Sequence, residues 1–426
     1  MKWFSEIKDL LRLEAKSKNF IVHFGLRNPP TGVGLGAHGV RDRTIIQTYL
    51  YALERLYQNL TAAPWSRPRP AVGDAGLIEV YVFDISELAV ADGSPFTSIT
   101  EQGKAYICLP AGSFEPSPQA ELHRAAAEAI HEATHVFNHQ KRPLGDLQSR
   151  PWEWVDEALA VLMEITLIPG NQDHFRFLKN WVEMPEVSLD NWGARYQAGL
   201  FAYYLEKKVP GFLNRVWQQA IPEDSPLEAM KRLAPAGEIF LSHLPDETDL
   251  FASGYCLDSY FLWDHSNDWC APELRARFGE RAVSESFIIR PGQVERSIDW
   301  ELDHLACRYF RIALKGEVKR LQIEVQVEAR YEAGKISNPP RIKAELAVVT
   351  DEMRPGDPIR PLRPSPITKE KELMRLVLEV DVAGLDYDKA DHLVLVVSNC
   401  GTRTATVKRD VPHDDNRKFC VRVTAT

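Results

Sequence analysis

The stretch "EAIHEATHVFNHQ", residues 128–140, decides how the first half of the chain folds. It carries three histidines, His131, His135 and His139, each four residues from the next, and Glu132 directly follows the first of them. Residues four apart lie on one face of an α-helix. The Ala-rich turns before it and Ser117-Pro118 upstream are typical of a helix and its N-terminus. We therefore predict one long helix that carries the three imidazoles on one face.

Residues 131–135 fit the pattern H-E-x-x-H, in which two histidines on one helical face bind a single Zn²⁺ ion. The Zn–N distance in such sites is about 2.1 Å. Glu132 lies one position from a ligand, so its carboxylate can act as the general base toward the water that the metal activates. A helix with incidental histidines is the alternative interpretation.

His139 is the third histidine of the row, but its spacing argues against a shared ion. A helix rises about 1.5 Å per residue, which separates His131 and His139 by about 12 Å along the axis. Three side chains spread over that distance cannot all reach one Zn²⁺ ion at about 2 Å. We therefore predict that His139 supports the site from outside the ligand set or has a plain structural role.

Glu157, in "WVDEALAVLME" (154–164), is the candidate for the third ligand. It falls on the next predicted helix, and an antiparallel pair of helices would bring it back to the histidines. The apolar run 158–162 follows it, so we expect a partly buried carboxylate, which needs a partner charge such as a metal ion. The alternative interpretation is a glutamate favoured by the dipole at a helix N-terminus.

H-E-x-x-H with a downstream helical glutamate resembles the gluzincin metallopeptidases. The segment "YQAGLFAYYLEKKVPG" (196–211) is similar to the Y-x-x-G helix start of gluzincins such as the aminopeptidase N group. This resemblance implies that Tyr196 stabilises the tetrahedral oxyanion, and a phenol is a neutral donor suited to developing charge. Tyr203 and Tyr204 on the same predicted helix are alternatives, and an ordinary aromatic contact is also open for Tyr196.

The order of elements is similar to that of secreted bacterial gluzincin metalloproteases with a C-terminal β-sandwich domain. The likeness covers most of 20–220, including "HF" at 23–24, "VYVFD" at 80–84 and the W-x-x-E-A-x-A helix at 154–160. Such proteins usually carry a signal peptide, so the resemblance leaves secretion open. The N-terminal "MKWFSEIKDLLRLEAKSKNF" instead has charges that interrupt any apolar signal sequence, so a cytoplasmic location is the default expectation.

The sequence changes character near residue 285. About seven β-rich runs follow, among them "LACRYFRIAL" (305–314) and "HLVLVVSN" (392–399), and they predict a sandwich of Ig-like or jelly-roll type. Before residue 285, predicted strands at 77–83 and 104–110 alternate with helices. We predict an α+β protein: a gluzincin-type zinc metallopeptidase domain at 1–285, with a small N-terminal sheet and a helical zinc-binding core, and an all-β sandwich accessory domain at 286–426.

Composition and minor motifs exclude other classes. A net charge of −9 gives no support to nucleic-acid binding, and no apolar stretch is long enough to span a membrane. The six cysteines include two pairs close in sequence, 256 with 270 and 400 with 420, but free buried thiols are the favoured interpretation. The G-x-G-x-x-G match at 34–39 follows "NPPTGV" rather than a strand, which indicates a loop and no dinucleotide cofactor.

These patterns together predict a zinc-dependent endopeptidase that cleaves internal bonds of a protein or peptide substrate, with His131, His135 and Glu157 as ligands. The segment "GKAYICLP" (103–110) lacks the glutamate by which aminopeptidase-type gluzincins bind a terminal amine, which favours internal cleavage. We also expect the strand at 104–110 to pair with an extended substrate. The alternative is a non-catalytic binding or adhesion protein with a structural zinc site and a partner-binding sandwich. The oligomeric state stays open.

Overall fold

The structure is a computed structural model that describes residues 8, 11–26, 39–63, 65–67, 70, 76–85, 94–100, 103–112, 117–141, 150–168, 181, 183–191, 195–220, 225–234, 239, 250–260, 283–328, 331–332, 335–336, 342–350, 363–364, 373–382, 390–401 and 417–426. These residues form an α+β protein, as predicted. The chain divides into two compact units, Met1–Phe177 with Ala198–Glu223, and Leu178–Gln197 with Asp224–Thr426. The G-x-G-x-x-G match lies outside the described residues except for Gly39.

A five-stranded mixed sheet is the β layer of the first unit. Its strands, in chain order, are β1 (Leu13–Lys16), β2 (Phe20–Phe24), β3 (Ile78–Phe83), β4 (Phe96–Ile99) and β5 (Ala105–Pro110). The spatial order is β1-β2-β3-β5-β4, with β2, β3 and β5 parallel and the two outer strands antiparallel to their neighbours. The central strands β3 and β5 are almost wholly buried, which explains their near-continuous apolar sequences.

The prediction that the strand at 104–110 pairs with substrate is wrong. This strand, β5, is hydrogen-bonded to β3 on one side and to β4 on the other. Both of its edges are therefore occupied, and the outer strand on this side of the sheet is β4, which was not predicted from the sequence.

Five helices are described in the first unit. They are α1 (Thr44–Thr61), α2 (Pro118–Asn138), α3 (Glu153–Leu167, after a 3₁₀ turn at Arg150–Trp152), α4 (Ala198–Lys208) and α5 (Phe212–Gln219). The helices predicted around His131, Glu157 and Tyr203 are confirmed as α2, α3 and α4. No described helix has the length and hydrophobicity needed to cross a membrane.

The second half of α2 lies in the interior of the first unit. The helix starts at Ser117, whose side chain accepts a hydrogen bond of 3.2 Å from the Ala120 N–H. From Ala129 to Asn138 every residue is buried, as expected of a helix surrounded by other elements. On one side, Tyr57 of α1 packs edge-on against Phe137, with ring centroids 5.6 Å apart. His131 and His135 of α2 therefore face protein rather than solvent.

The second unit is rich in β-strands. It contains α6 (Pro226–Leu233), a π-helical turn (Phe251–Cys256), α7 (Leu257–Tyr260) and twelve described strands. The longer strands are β6 (Val283–Ile289), β9 (Ala306–Leu314), β10 (Arg320–Glu328), β13 (Ile342–Thr350), β15 (Leu373–Asp381), β16 (Ala390–Asn399) and β17 (Arg417–Ala425); the shorter ones are β7 (Val294–Arg296), β8 (Trp300–Leu302), β11 (Tyr331–Glu332), β12 (Lys335–Ile336) and β14 (Arg363–Pro364). Six of the seven predicted runs are strands, and the seventh, residues 403–409, lies outside the described residues.

Two larger sheets of this unit share one hydrophobic core. One has the order β13-β16-β9-β6, and the other β14-β15-β10-β17-β7 with β8 also on β17. Side chains such as Phe310 of β9 and Val421 of β17 belong to the same buried cluster. The predicted boundary at residue 285 falls inside β6, and helical residues such as those of α6 group with the strands. The division into a gluzincin-type domain and an Ig-like or jelly-roll sandwich stays a prediction.

The described cysteines are buried free thiols. This holds for Cys108, Cys256, Cys307, Cys400 and Cys420, so the considered pair of Cys400 with Cys420 is not bonded. Cys270 lies outside the described residues.

Candidate metal centre

Three side chains from α2 and α3 converge on one point in the first unit. The His131 Nε2 atom lies 3.1 Å from Glu157 Oε2, and the His135 Nε2 atom lies 3.7 Å from the same oxygen. Around a tetrahedral Zn²⁺ ion, ligand atoms at about 2.0–2.1 Å from the metal are about 3.4 Å from one another. The donor atoms thus have the spacing and chemistry of a site with two histidines and one carboxylate, and they fit a zinc ion.

The opposite ring nitrogens of the two histidines face other carboxylates. His131 Nδ1 lies 2.6 Å from Glu164 Oε1, and His135 Nδ1 lies 3.0 Å from Asp156 Oδ2, a charge contact rather than an aligned hydrogen bond. Such carboxylates orient a ligand histidine and make it more basic. They leave both Nε2 atoms directed toward Glu157. His131, earlier on α2, contacts Glu164 late on α3, whereas His135, later on α2, contacts Asp156 early on α3. The two helices are therefore antiparallel.

Hydrogen bonds and charges inside the cluster oppose the effect of burial on its pKa values. Burial would lower the pKa of His131, but its hydrogen bonds with Glu157 and Glu164 raise it well above the ordinary value. Burial would raise the pKa of Glu157, but hydrogen bonds with His131 and His135 hold it well below its usual range. Imidazolium and carboxylate therefore stabilise each other, and a metal ion that binds here displaces protons.

Glu132 is buried beside the histidines, with 6% of its surface exposed. Thr97 of β4 places its Oγ1 atom 2.7 Å from the Glu132 carbonyl oxygen and 3.0 Å from Oε2, and donates its single proton to either acceptor. Burial raises the pKa of Glu132, and the charges of His131 and His135 partly oppose that rise. A carboxyl group in this state has the chemistry of a general base. The contact of Thr97 with Glu132 was not predicted, since Thr97 lies on strand β4, which was not predicted either.

His139 belongs to a second group of donors, with His135 and Asp156. Its Nε2 atom lies 3.4 Å from Asp156 Oδ2, and its ring stacks on that of His135 with centroids 5.8 Å apart. The row of histidines thus forms two overlapping groups that share His135, as the helical rise requires. His139 contacts the carboxylate behind His135 but does not join the first group.

Tyr196 lies in the second unit, in the turn 195–197 that directly precedes α4 in the sequence. The guanidinium of Arg195 lies 4.8 Å from the centroid of its ring. Its role as an oxyanion donor stays a prediction. The alternatives Tyr203 and Tyr204 lie on α4 in the first unit and are largely buried.

The glycine of the Y-x-x-G segment has a packing role. A Cβ atom at Gly199 would lie 2.4 Å from Cγ1 of Val161, far inside van der Waals contact. Only glycine therefore allows α4 to approach α3 this closely. This approach supports the helix that carries Asp156, Glu157 and Glu164.

Comparisons with known proteins add no family. No family model matches the chain, and no curated protein matches it. A periplasmic inhibitor of g-type lysozyme from Aeromonas hydrophila, PliG, has 9% identity and a TM-score of 0.15, over 33% of this chain and 99% of its own. A family GH115 4-O-methyl-α-glucuronidase has 10% identity and a TM-score of 0.18, over 72% of this chain and 38% of its own. Similarity this low carries no argument about fold or function.

Proposed function

We propose that this protein is a zinc-dependent endopeptidase of the gluzincin type that hydrolyses internal peptide bonds of protein substrates. The observation that carries the proposal is the convergence of His131 Nε2 and His135 Nε2 on Glu157 Oε2. Carboxylates behind both rings, from Glu164 and Asp156, support it further. A zinc ion held by these three donors would polarise the scissile carbonyl and lower the pKa of a water molecule.

The other residues of the site would handle protons and orientation. Glu132 takes a proton from the attacking water and passes it to the leaving amine. The Thr97 hydroxyl orients the Glu132 carboxylate through its contact with Oε2. Tyr196 is our candidate for donating a hydrogen bond to the oxyanion, in keeping with the family resemblance of its segment.

The outer strand β4 offers a place for an extended substrate. It is the last strand on its side of the described sheet, and the main chain of a peptide can add to such an edge. Thr97 of this strand contacts the candidate base Glu132, so a peptide paired with β4 would run close to that carboxylate. This arrangement suits a chain that continues in both directions, which is the substrate of an endopeptidase.

A set of single substitutions tests the proposal. We expect about one zinc per chain in the wild-type protein and in Glu132→Gln. Proteolysis of an unstructured protein should fall about 10²–10⁴-fold in Glu132→Gln, because a general base contributes about that factor. Glu128→Gln is the matched control, since Glu128 lies one turn earlier on α2 and pairs with Arg124.

Two results would overturn this function. One is wild-type protein that takes up no zinc on addition. The other is Glu132→Gln protein that cleaves as fast as the control.

In the same assay Tyr196→Phe should lower kcat and retain zinc, whereas Tyr203→Phe and Tyr204→Phe should be near wild type. A loss of kcat confined to Tyr203→Phe or to Tyr204→Phe would move the oxyanion role to that tyrosine.

A further inference from the structure

Asn138, the last residue of α2, is fully buried, and the proposed reaction does not use it. Its Nδ2 atom donates a hydrogen bond to Asp156 Oδ1, and its Oδ1 atom accepts one from Arg67 Nη1. The amide therefore connects a buried guanidinium to the carboxylate that lies behind His135.

Arg67 is itself fixed from several sides, with only 3% of its surface exposed. Its Nε atom donates to Asn214 Oδ1 at 3.1 Å, and Asn214 Nδ2 donates to the Trp65 carbonyl oxygen at 2.8 Å. Its backbone N–H donates to the Leu60 carbonyl oxygen at 2.7 Å. Burial lowers the pKa of Arg67 to about 9, against the charge of Asp156, so the group stays a cation at neutral pH.

These bonds determine which way the Asn138 amide points. A guanidinium has five donors and no acceptor, so it can bind only the oxygen of the amide. The NH₂ group of Asn138 must then face Asp156. With its Oδ1 atom held by the Asn138 NH₂ group, the Asp156 carboxylate directs its Oδ2 atom at His135 Nδ1, 3.0 Å away. The same Oδ2 atom lies 3.4 Å from His139 Nε2, so the bond at Oδ1 keeps Oδ2 beside the two imidazoles and closer to His135.

We propose that Arg67 and Asn138 are positioning residues of the metal centre, which hold Asp156 so that His135 directs Nε2 toward Glu157 and the ion. This inference rests on the proposed metal centre. The inference extends the metal centre by assigning a role to the guanidinium of Arg67, which comes from a distant loop, and to the amide of Asn138 at the end of α2. Neither residue contacts the donor atoms of the ligand set.

Asn138→Asp is the sharpest test in the full-length chain. The substitution keeps the side-chain shape and an acceptor for Arg67, but it places an oxygen opposite Asp156 Oδ1. We expect the Kd for zinc, measured by competition with a chelator, to rise about 10–100-fold, as is usual when the support of a ligand histidine is lost. The visible spectrum of the Co²⁺-loaded protein should also change. Asn19→Asp is the matched control, since Asn19 Nδ2 also donates to a carboxylate oxygen, Glu54 Oε2 at 2.7 Å, and this pair is not part of the metal centre or of the contacts of Arg67.

A second variant covers the case in which Asn138→Asp does not fold. Arg67→Lys keeps the charge but loses the planar fork, and we expect the Kd for zinc to rise several-fold. A folded variant at position 138 or 67 with the zinc Kd and Co²⁺ spectrum of the wild type would overturn the inference. So would an equal loss of affinity in Asn19→Asp. Wild-type protein that binds no zinc would instead overturn the metal centre itself.

Discussion

Each histidine of the H-E-x-x-H segment has two ring nitrogens, and each nitrogen faces a carboxylate. The Nε2 atoms face Glu157, whereas the Nδ1 atoms face Glu164 and Asp156. Since the carboxylate behind a ligand histidine fixes the ring orientation and raises its basicity, loss of either acid should weaken metal binding by about 10–100-fold.

Glu164→Gln tests the effect of these carboxylates on zinc affinity at the shorter of the two contacts, where Glu164 Oε1 lies 2.6 Å from His131 Nδ1. The substitution removes the negative charge and keeps the shape, so we expect the Kd for zinc to rise about 10–100-fold. Chelator competition measures the change. Glu153→Gln, in the first turn of the same helix, is the control and should match the wild type. Equal affinities in all three proteins would show that Glu164 does not orient His131.

The sequence contains enough information for part of this site. Glu157 was found from the apolar run beside it, and the same reasoning applies to Glu164, which interrupts a run of apolar residues on α3. Arg67 and Asn138 gave no such signal. Their contact joins residues 71 positions apart, and nothing local in "SRPRP" predicts a buried guanidinium.

Among the elements, α3 and α4 approach each other closely where Gly199 faces Val161. Alanine normally stabilises a helix relative to glycine by about 1 kcal/mol. At position 199 the added methyl group would instead overlap the Val161 side chain, and overpacking of this kind costs about 1–3 kcal/mol. The steric effect should therefore exceed the gain in helix propensity.

Gly199→Ala should accordingly lower the free energy of unfolding by up to about 2 kcal/mol, the difference between those two effects. Urea unfolding of the metal-free protein, followed by circular dichroism, measures it. An unfolding midpoint at or above that of the wild type would mean that the helices separate easily at this point.

Elements with strong local signals were predictable, and elements defined by their neighbours were not. The helix α2 was expected from Ser117-Pro118 and its alanines, and its N-cap lies at Ser117. The strand β4 has only four residues, "FTSI", and no clear alternation of buried and exposed positions. The sequence of β5 does not reveal that β4 covers its edge, because strand pairing depends on distant residues.

At the scale of the whole molecule, the second unit combines residues 178–197 with strands far along the chain. His304, fully buried, joins these parts: its Nε2 atom lies 2.8 Å from Asp190 Oδ1 and its Nδ1 atom 3.1 Å from Asp303 Oδ1. Ser188 Oγ is 3.2 Å from the same Nε2 atom, but Ser188 and His304 are inaccessible, so this group is structural rather than catalytic.

Protonation of His304 should make the stability of the second unit depend on pH. Burial would lower its pKa, but the charges of Asp190 and Asp303 raise it to about 10, against about 6.5 in an unfolded chain. The stabilisation is therefore complete below about pH 6.5 and is lost as the pH rises toward 10. Urea unfolding between pH 6 and 10 should show this decline.

His304→Gln is the comparison that assigns the decline. It should destabilise the protein at pH 6 by about 3–5 kcal/mol, because it leaves buried carboxylates without their cation. It should also flatten the pH dependence. A variant that declines as steeply as the wild type would mean that other groups cause the effect.

Contacts between distant residues explain why the sequence predicts the secondary-structure elements better than the way those elements are grouped in space. The α+β class and the strand-rich C-terminal part follow from periodicity along the chain. The grouping of residues 178–197 with those strands depends on bonds such as that from the Cys307 N–H to the Pro185 carbonyl oxygen, 2.8 Å long. Such contacts between distant residues leave no periodic pattern in the sequence.

The central claim concerns the position of one zinc ion, and X-ray data collected above and below the zinc absorption edge from zinc-loaded crystals test it directly. We predict one anomalous peak, about 2.0–2.2 Å from His131 Nε2, from His135 Nε2 and from a carboxylate oxygen of Glu157. A peak among His135, His139 and Asp156 instead, or no peak beside α2, would contradict the claim.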